Sequence, residues 1–114
     1  MTKRRVVITG MGAITPVGNN VTEFWDSLVN GKSGIDFIKG FDDVELPVRL
    51  VAQVKNFDPQ SNGLDRSDVR KWALFCQYAM AAAYQAMNDS GLVSGENVEA
   101  HRLGVYIGSG IGGM

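Results

Sequence analysis

A chain of 114 residues that is 45% hydrophobic and 20% charged has the ordinary balance of a small globular domain, which excludes intrinsic disorder, collagen-like repeats and a coiled coil. Eleven basic against twelve acidic residues leave a net charge of −1, so no overall field attracts nucleic acid or an anionic membrane. We expect neither of these partners, and an acidic or basic partner has to bind a local patch.

The first predicted element is a strand over residues 5–9. Its sequence, Arg-Val-Val-Ile-Thr, is apolar and β-branched and ends before Gly10 and Gly12. Such a run suits a strand that is buried on both faces, and therefore a parallel or mixed sheet. The basic start resembles that of a signal peptide, but glycine, threonine and Pro16 interrupt the apolar run, so we interpret it as mature sequence.

A short amphipathic helix is predicted next, from Asn20 to about Asn30. Asn20 can cap its start, with Glu23 at the third helical position in a variant of the capping box, and Gly31 can close its end. Residues at helical spacing are expected to face a core; they are Val21, Phe24, Trp25, Leu28 and Val29.

A second, longer helix is predicted after a segment rich in turn residues. That segment, from Lys32 to Leu64, contains one short strand at residues 50–54. From Asp65 onward the apolar positions recur at intervals of three and four and end at Gly91; they are Val69, Trp72, Cys76, Ala79, Ala83 and Ala86. The small residues of this face allow another backbone to approach, so we expect a central helix.

The last predicted element is a buried strand at residues 103–107, followed by a glycine-rich end. Two clear strands and a weak third are too few to close a covered sheet. The fold class we predict is therefore α/β, as the N-terminal part of a larger fold with an incomplete mixed sheet and helices.

The glycines after the first strand are candidates for a dinucleotide site. The spacing of Gly10, Gly12 and Gly18 does not fit, because Thr15 stands where the third glycine of that motif belongs. A tight turn is the better interpretation. Of the acidic pairs, Asp42 with Asp43 and Asp65 with Asp68, neither is assigned to acid–base catalysis.

Cys76 and His101 are the only cysteine and histidine. They can form neither an internal disulfide nor a Cys/His metal cage, which favours a reducing, cytoplasmic setting. Cys76 lies on the apolar stripe of the long helix, where burial raises a thiol's pKa, so we expect a structural role. His101 is expected at the surface. We assign no catalytic residue, metal site or cofactor.

Arg66, Arg70 and Lys71 form a candidate binding patch. Their spacing near the start of the long helix places them toward one sector, as a compact cationic spot in a nearly neutral chain. A phosphate or an acidic protein helix could bind there. The alternative is a solvated helix face with Asp65 and Asp68 as counter-charges.

Several motifs occur in a characteristic order; they are Arg4–Gly12, Thr15–Asn19, Phe24–Trp25, Gly31–Ile35, Asp65–Arg66, Arg70–Lys71, Gln77–Ala79 and Ile107–Gly113. Together they resemble the start of the β-ketoacyl-acyl carrier protein synthases, and favour the type II enzyme of bacterial fatty acid synthesis. The resemblance implies a thiolase fold of two α/β halves, a homodimer, and a decarboxylating condensation of malonyl- and acyl-loaded carrier protein. Residues 1–114 would be the N-terminal segment of the first half.

The resemblance implies two roles within these residues. Arg66, Arg70 and Lys71 match the basic helix start that helps to dock acyl carrier protein, and Ile111 matches an isoleucine that gates the acyl channel. The catalytic cysteine and histidines of the family lie beyond this segment, so the chain alone is expected to be inactive. Two features depart from the family. Ser67 replaces a common basic residue, and Trp72–Ala73 replaces a usual Met-Asp pair.

Two alternatives remain at this point. The chain could be a non-enzymatic fragment that binds an acidic partner such as the carrier protein, or a segment of a polyketide-type ketosynthase.

Overall fold

The computed structural model describes residues 2–41 and 45–113, so Asp42 and Asp43 lie outside the described residues. The elements are α1 (Val21–Val29), β1 (Asp36–Phe37), β2 (Leu50–Val51), α2 (Arg66–Lys71) and α3 (Leu74–Ser90), with 3₁₀ turns at Gln60–Asn62 and Ala100–Arg102. The chain divides into two compact units. Residues 13–58 form one, and residues 2–12 with 59–113 form the other.

Helix α1 begins and ends where its local sequence predicts. The Asn20 side chain accepts a hydrogen bond from the Glu23 N–H at 2.9 Å, and the Glu23 carboxylate accepts one from the Asn19 N–H at 2.9 Å. The reciprocal bond of the capping box therefore reaches one residue further back than usual. At the other end Gly31, with φ 63°, donates to the Leu28 carbonyl at 3.1 Å. Both predicted caps are confirmed.

The apolar face of α1 is less buried than its periodicity predicts. Trp25 is 64% and Val29 67% exposed, whereas the polar Ser27 is 6% exposed. The Ser27 hydroxyl donates to the Val17 carbonyl at 2.6 Å. Val21 and Phe24 are half-buried, so the fully buried side chain of α1 is the polar Ser27 and none of its apolar ones.

The rest of the 13–58 unit is also joined by polar contacts. Strands β1 and β2 pair antiparallel, with Asp36 opposite Val51, so only the first two residues of the strand predicted at 50–54 form one. The Asn19 side-chain amide donates to the Lys55 carbonyl at 2.7 Å. The Lys55 ammonium donates to the Gly34 carbonyl at 3.1 Å. The first contact joins the loop before α1 to the segment after β2, and the second joins that segment to the loop between α1 and β1.

In the second unit the single helix predicted from Asp65 to Gly91 is wrong, because it is divided into α2 and α3. Trp72 (φ −100°, ψ 136°) and Ala73 (φ −61°, ψ 154°) are both extended. The apolar spacing continues across this break, and no glycine or proline marks it. The predicted end at Gly91 is confirmed by its left-handed φ of 65°.

The break leaves α3 without a side-chain cap. Ala73 occupies the N-cap position and its methyl group accepts no hydrogen bond. We expect Ala73→Asp to stabilise the start of α3 by about 1 kcal/mol, since a carboxylate at an N-cap accepts from the free N–H groups of the first turn. Circular dichroism of a peptide spanning residues 72–91 measures this as higher helicity. Ala73→Leu, which adds no acceptor, is the control, and equal helicity in both variants would contradict the assignment.

Helix α3 receives the backbone of the N-terminal segment. A Cβ on Gly12 would collide with the Ala82 carbonyl, and one on Gly10 with the Ala86 carbonyl. The expected close approach at the small residues is confirmed. The tight turn expected at Gly10, Gly12 and Gly18 is found at Thr15–Gly18, closed by a bond of 2.9 Å between the Thr15 N–H and the Gly18 carbonyl, and Gly10 and Gly12 precede it.

The strands predicted at residues 5–9 and 103–107 are wrong for this structure, since neither run is paired in a sheet. Their apolar side chains are exposed, with Val6 at 93%, Ile8 at 82% and Tyr106 at 98%. Within the described residues the buried apolar side chains are Leu64 and Ala81 alone. A strand needs a neighbouring strand to satisfy its backbone, and the described residues provide none for these two runs.

In the part of the chain that the structure describes, no helix has both the length and the apolar character that crossing a membrane requires.

Candidate functional site

Helix α2 begins with a strong acidic cap. One oxygen of Asp65 accepts from the Ser67 N–H at 2.7 Å and from the Asp68 N–H at 2.9 Å. The backbone bond from Asp68 is the largest cause that lowers the pKa of Asp65, followed by the Ser67 hydroxyl, and Lys71 adds a smaller electrostatic contribution. Because this pKa is lowered in the folded chain, the cap is intact above the ordinary pKa of aspartate and is lost as the pH falls through the lowered value.

The three predicted binding cations lie on α2 and are all exposed. Arg66 opens the helix, and Arg70 and Lys71 close it. Among the described residues, the Glu99 carboxylate lies within 4.0 Å of the His101 and Arg102 side chains, and Arg66, Arg70 and Lys71 have no ion pair within that distance. Asp65 binds backbone N–H groups through one oxygen and interacts with Lys71 only through the smaller electrostatic contribution, so a solvated helix face with Asp65 and Asp68 as counter-charges remains an alternative.

The C-terminal end of α2 is fastened by a side chain from α3. Gln77 is 7% exposed. Its amide nitrogen donates to the Trp72 carbonyl at 2.9 Å and to the Val69 carbonyl at 3.2 Å. A helix end that stops this abruptly leaves free carbonyls, and Gln77 satisfies two of them. The short basic helix is thus held at both ends.

The glycine-rich turn that carries Ile111 packs beside the start of α3. A Cβ on Gly113 would lie 3.1 Å from the Ala73 Cβ and 3.2 Å from the Phe75 ring, and Gly112 has a left-handed φ of 81°. Ile111 itself is 80% exposed. The turn therefore lies next to the junction of α2 and α3, while its isoleucine points away from the packed residues.

His101 lies at the surface as expected, but Cys76 does not lie in the middle of one long helix, because the break at Trp72 and Ala73 places it near the start of α3. Cys76 is a free, half-buried thiol in the first turn of α3. His101 is exposed in the last 3₁₀ turn, 3.7 Å from the Glu99 carboxylate. Within the described ranges no cluster of histidine, cysteine and acidic residues has the arrangement of a metal site.

A polar cavity of about 450 Å³ lies wholly within the 13–58 unit. Thr15, Glu23, Lys32 and Lys55 are among its lining residues. Arg66, Arg70, Lys71 and Ile111 are not among the residues that line this cavity.

Sequence reasoning missed Gln77 and the neighbours of the glycine-rich turn. Gln77 belongs to the Gln77–Ala79 motif, to which the sequence assigns no role. The one local sign of its importance is that a polar residue stands within an apolar helical stretch. The packing of Gly113 on Phe75 joins residues far apart in the chain, which no spacing rule detects.

Comparison with known proteins shows which family this chain resembles. Residues 3–114 match the family model described as "Beta-ketoacyl synthase, N-terminal domain". The 3-oxoacyl-[acyl-carrier-protein] synthase 2 of Coxiella burnetii is 50% identical over 114 residues, which is 100% of this chain and 27% of that protein. The enzyme of the same name from a Synechocystis strain is 44% identical over 112 residues, covering 98% of this chain and 26% of its own length.

The fold has a counterpart in a solved structure. "The ishigamide ketosynthase/chain length factor" superimposes with a TM-score of 0.68 and 34% sequence identity, over 81% of this chain and 23% of that one. This likeness confirms the predicted class, a partial α/β fold of the thiolase-like ketosynthases. The chain spans about a quarter of the length of the relatives that it matches. It belongs to the β-ketoacyl synthase family, of which it contains the N-terminal domain region.

Proposed function

We propose that these residues are the N-terminal part of a 3-oxoacyl-acyl carrier protein synthase of fatty acid biosynthesis. That enzyme is an acyltransferase, which joins malonyl-carrier protein and acyl-carrier protein into 3-oxoacyl-carrier protein and releases CO₂ and free carrier protein. The observation that carries the proposal is 50% identity along the whole chain to a protein of that name. The same relatives do not favour a polyketide-type segment or a non-enzymatic binding fragment.

The family resemblance places the reacting cysteine and histidines outside residues 1–114. Neither Cys76 nor His101 is given a catalytic role in this proposal, and an exposed histidine paired with Glu99 fits that assignment. The proposed contribution of residues 1–114 to the enzyme is to bind the carrier protein and to line the acyl channel. The resemblance further leads us to propose a homodimer in the cytoplasm.

A chimera tests the condensing function. Residues 1–114 replace the matching 27% of the Coxiella burnetii relative, which supplies the remaining three quarters. We expect the chimera to form 3-oxoacyl-carrier protein and CO₂ from malonyl- and acyl-carrier protein, detected by mass spectrometry. A folded chimera that forms no product would argue against the proposal.

The proposed docking surface for acyl carrier protein is the exposed side of α2, with Arg66, Arg70 and Lys71. The support is their exposure, together with the absence of any carboxylate in contact with them among the described residues. Exposed charges of this kind steer an acidic partner and align it, and their effect weakens as salt rises. Ser67 removes one charge that the family commonly has at this surface.

Reversal of two of these charges is expected to weaken docking without harming the chemistry. In the chimera, Arg70→Glu with Lys71→Glu should raise the KM for malonyl-carrier protein about tenfold and leave kcat nearly unchanged. Steady-state kinetics at low and high NaCl measure the effect, which should shrink at high salt. The matched control is Lys32→Glu with Lys39→Glu, two exposed lysines of the other unit, and an equal rise in KM there would refute a specific surface.

We propose that Ile111 gates the acyl channel. Its support is the family match, an exposed side chain, and a following glycine with a left-handed backbone that allows the turn to change conformation. The chain length of the products that the chimera forms reports on this role.

A further inference from the structure

Helix α2 has too few residues to hold its own shape. It contains six residues, and isolated helices of that length are not stable in water. Its conformation therefore depends on the groups that bind its free N–H and C=O groups at each end. Asp65 does this at the start, with two bonds of 2.7 and 2.9 Å.

At the C-terminal end of α2, the free carbonyl groups are bound by the side chain of Gln77. Among the described residues, the structure gives no bond from another side chain to these carbonyls. The Gln77 amide nitrogen donates to the carbonyls of Val69 and Trp72 at 3.2 and 2.9 Å. Both carbonyls are free because Trp72 and Ala73 are extended and no further helical turn follows. Gln77 is 7% exposed, so water cannot readily replace this donor.

We propose that Gln77 is a positioning residue for carrier docking. This inference rests on the proposed docking function of α2. Arg70 and Lys71 lie between the two carbonyls that Gln77 holds, so the amide fixes the backbone of both cations against the first turn of α3. Without the Gln77 amide, the C-terminal end of α2 becomes more mobile. Part of the binding free energy of the carrier protein is then used to order the helix, which lowers the affinity.

The test separates carrier binding from catalysis. In the chimera, Gln77→Met keeps the length of the side chain and removes both N–H donors. We expect the KM for malonyl-carrier protein to rise about threefold to tenfold. The kcat should stay unchanged, as should kcat/KM for malonyl-pantetheine, a substrate without the carrier protein. A role limited to general stability would not produce this split.

Gln85→Met is the matched control. Gln85 lies on the same helix, and its amide donates to the Asn62 side chain at 2.7 Å and not to the C-terminal carbonyls of α2, so its loss should leave the KM for carrier protein unchanged. If Gln77→Met does not yield a folded chimera, Gln77→Leu, which has no N–H donor and adds no charge, is measured in its place.

The outcomes distinguish the inference from the function on which it rests. If Arg70→Glu with Lys71→Glu raises the KM but the Gln77 variant does not, the positioning role is wrong and docking stands. The role is also wrong if Gln85→Met raises the KM equally, or if malonyl-pantetheine is affected as strongly as the carrier-bound substrate. If the charge reversal itself has no effect, the docking function fails and the inference fails with it.

Discussion

Gly12→Ala is expected to lower the free energy of unfolding of the chimera by about 3 kcal/mol. A methyl group at this position would overlap the Ala82 carbonyl and press on the Gln85 side chain. The first of these obstacles is helix backbone, which cannot rotate away as a flexible side chain can. The N-terminal segment would have to move off α3, which breaks the packing of Gly10 on Ala86 as well.

Urea denaturation measures this effect, and Gly108→Ala is its control. A Cβ on Gly108 meets nothing within 4 Å, and its φ is not positive, so the same chemical change should have little effect. A Gly12→Ala chimera that unfolds at the same urea concentration as its parent would show that the segment does not lie against α3.

The isolated 114-residue chain is expected to unfold without a cooperative transition and to bind a hydrophobic dye. The chimera is expected to unfold cooperatively and not to bind the dye. The reason is the exposure of the two apolar runs, at residues 5–9 and 103–107. Val6 is 93%, Val105 78% and Tyr106 98% exposed. Burying one such side chain contributes about 1.5 to 3 kcal/mol to the free energy of folding. The two runs contain six exposed large apolar side chains, so their burial contributes on the order of 10 kcal/mol, which is the whole stability of an ordinary domain; they are Val6, Val7, Ile8, Val105, Tyr106 and Ile107.

Single substitutions in the chimera test which of these surfaces is covered. Val7 and Val48 are almost equally exposed in this chain, at 66% and 68%, but only Val7 lies in an apolar run. Val7→Asp should destabilise the chimera by several kcal/mol, on the order of the cost of an unpaired buried charge, and Val48→Asp should change little. A sharp urea transition and no dye binding by the isolated chain would contradict this expectation.

Local signals in the sequence predicted the parts of the fold that depend on near neighbours. The Asn20 cap and the Gly31 closure of α1 involve residues within four positions of each other, and both are confirmed. The division of α2 from α3 was missed because Trp72 and Ala73 carry no helix-breaking side chain. What stabilises the break is the side-chain amide of Gln77, which binds carbonyls five and eight residues before it, and the apolar spacing does not indicate this polar contact.

The strands were mispredicted for a related reason. An apolar β-branched run such as residues 5–9 indicates that a strand can form, but the partner that completes it has to come from elsewhere in a sheet. In the candidate site, the exposure of Arg70 and Lys71 follows from helical spacing and could be expected. That Asp65 binds the backbone rather than these cations depends on the geometry of the first turn.

We propose that these residues give a condensing enzyme its recognition of acyl carrier protein. Its most direct measurement is the ratio of kcat/KM for malonyl-carrier protein to kcat/KM for malonyl-pantetheine in the chimera. We expect a ratio that matches that of the intact Coxiella burnetii enzyme and falls about tenfold with Arg70→Glu and Lys71→Glu. A ratio that the charge reversal leaves unchanged would contradict it.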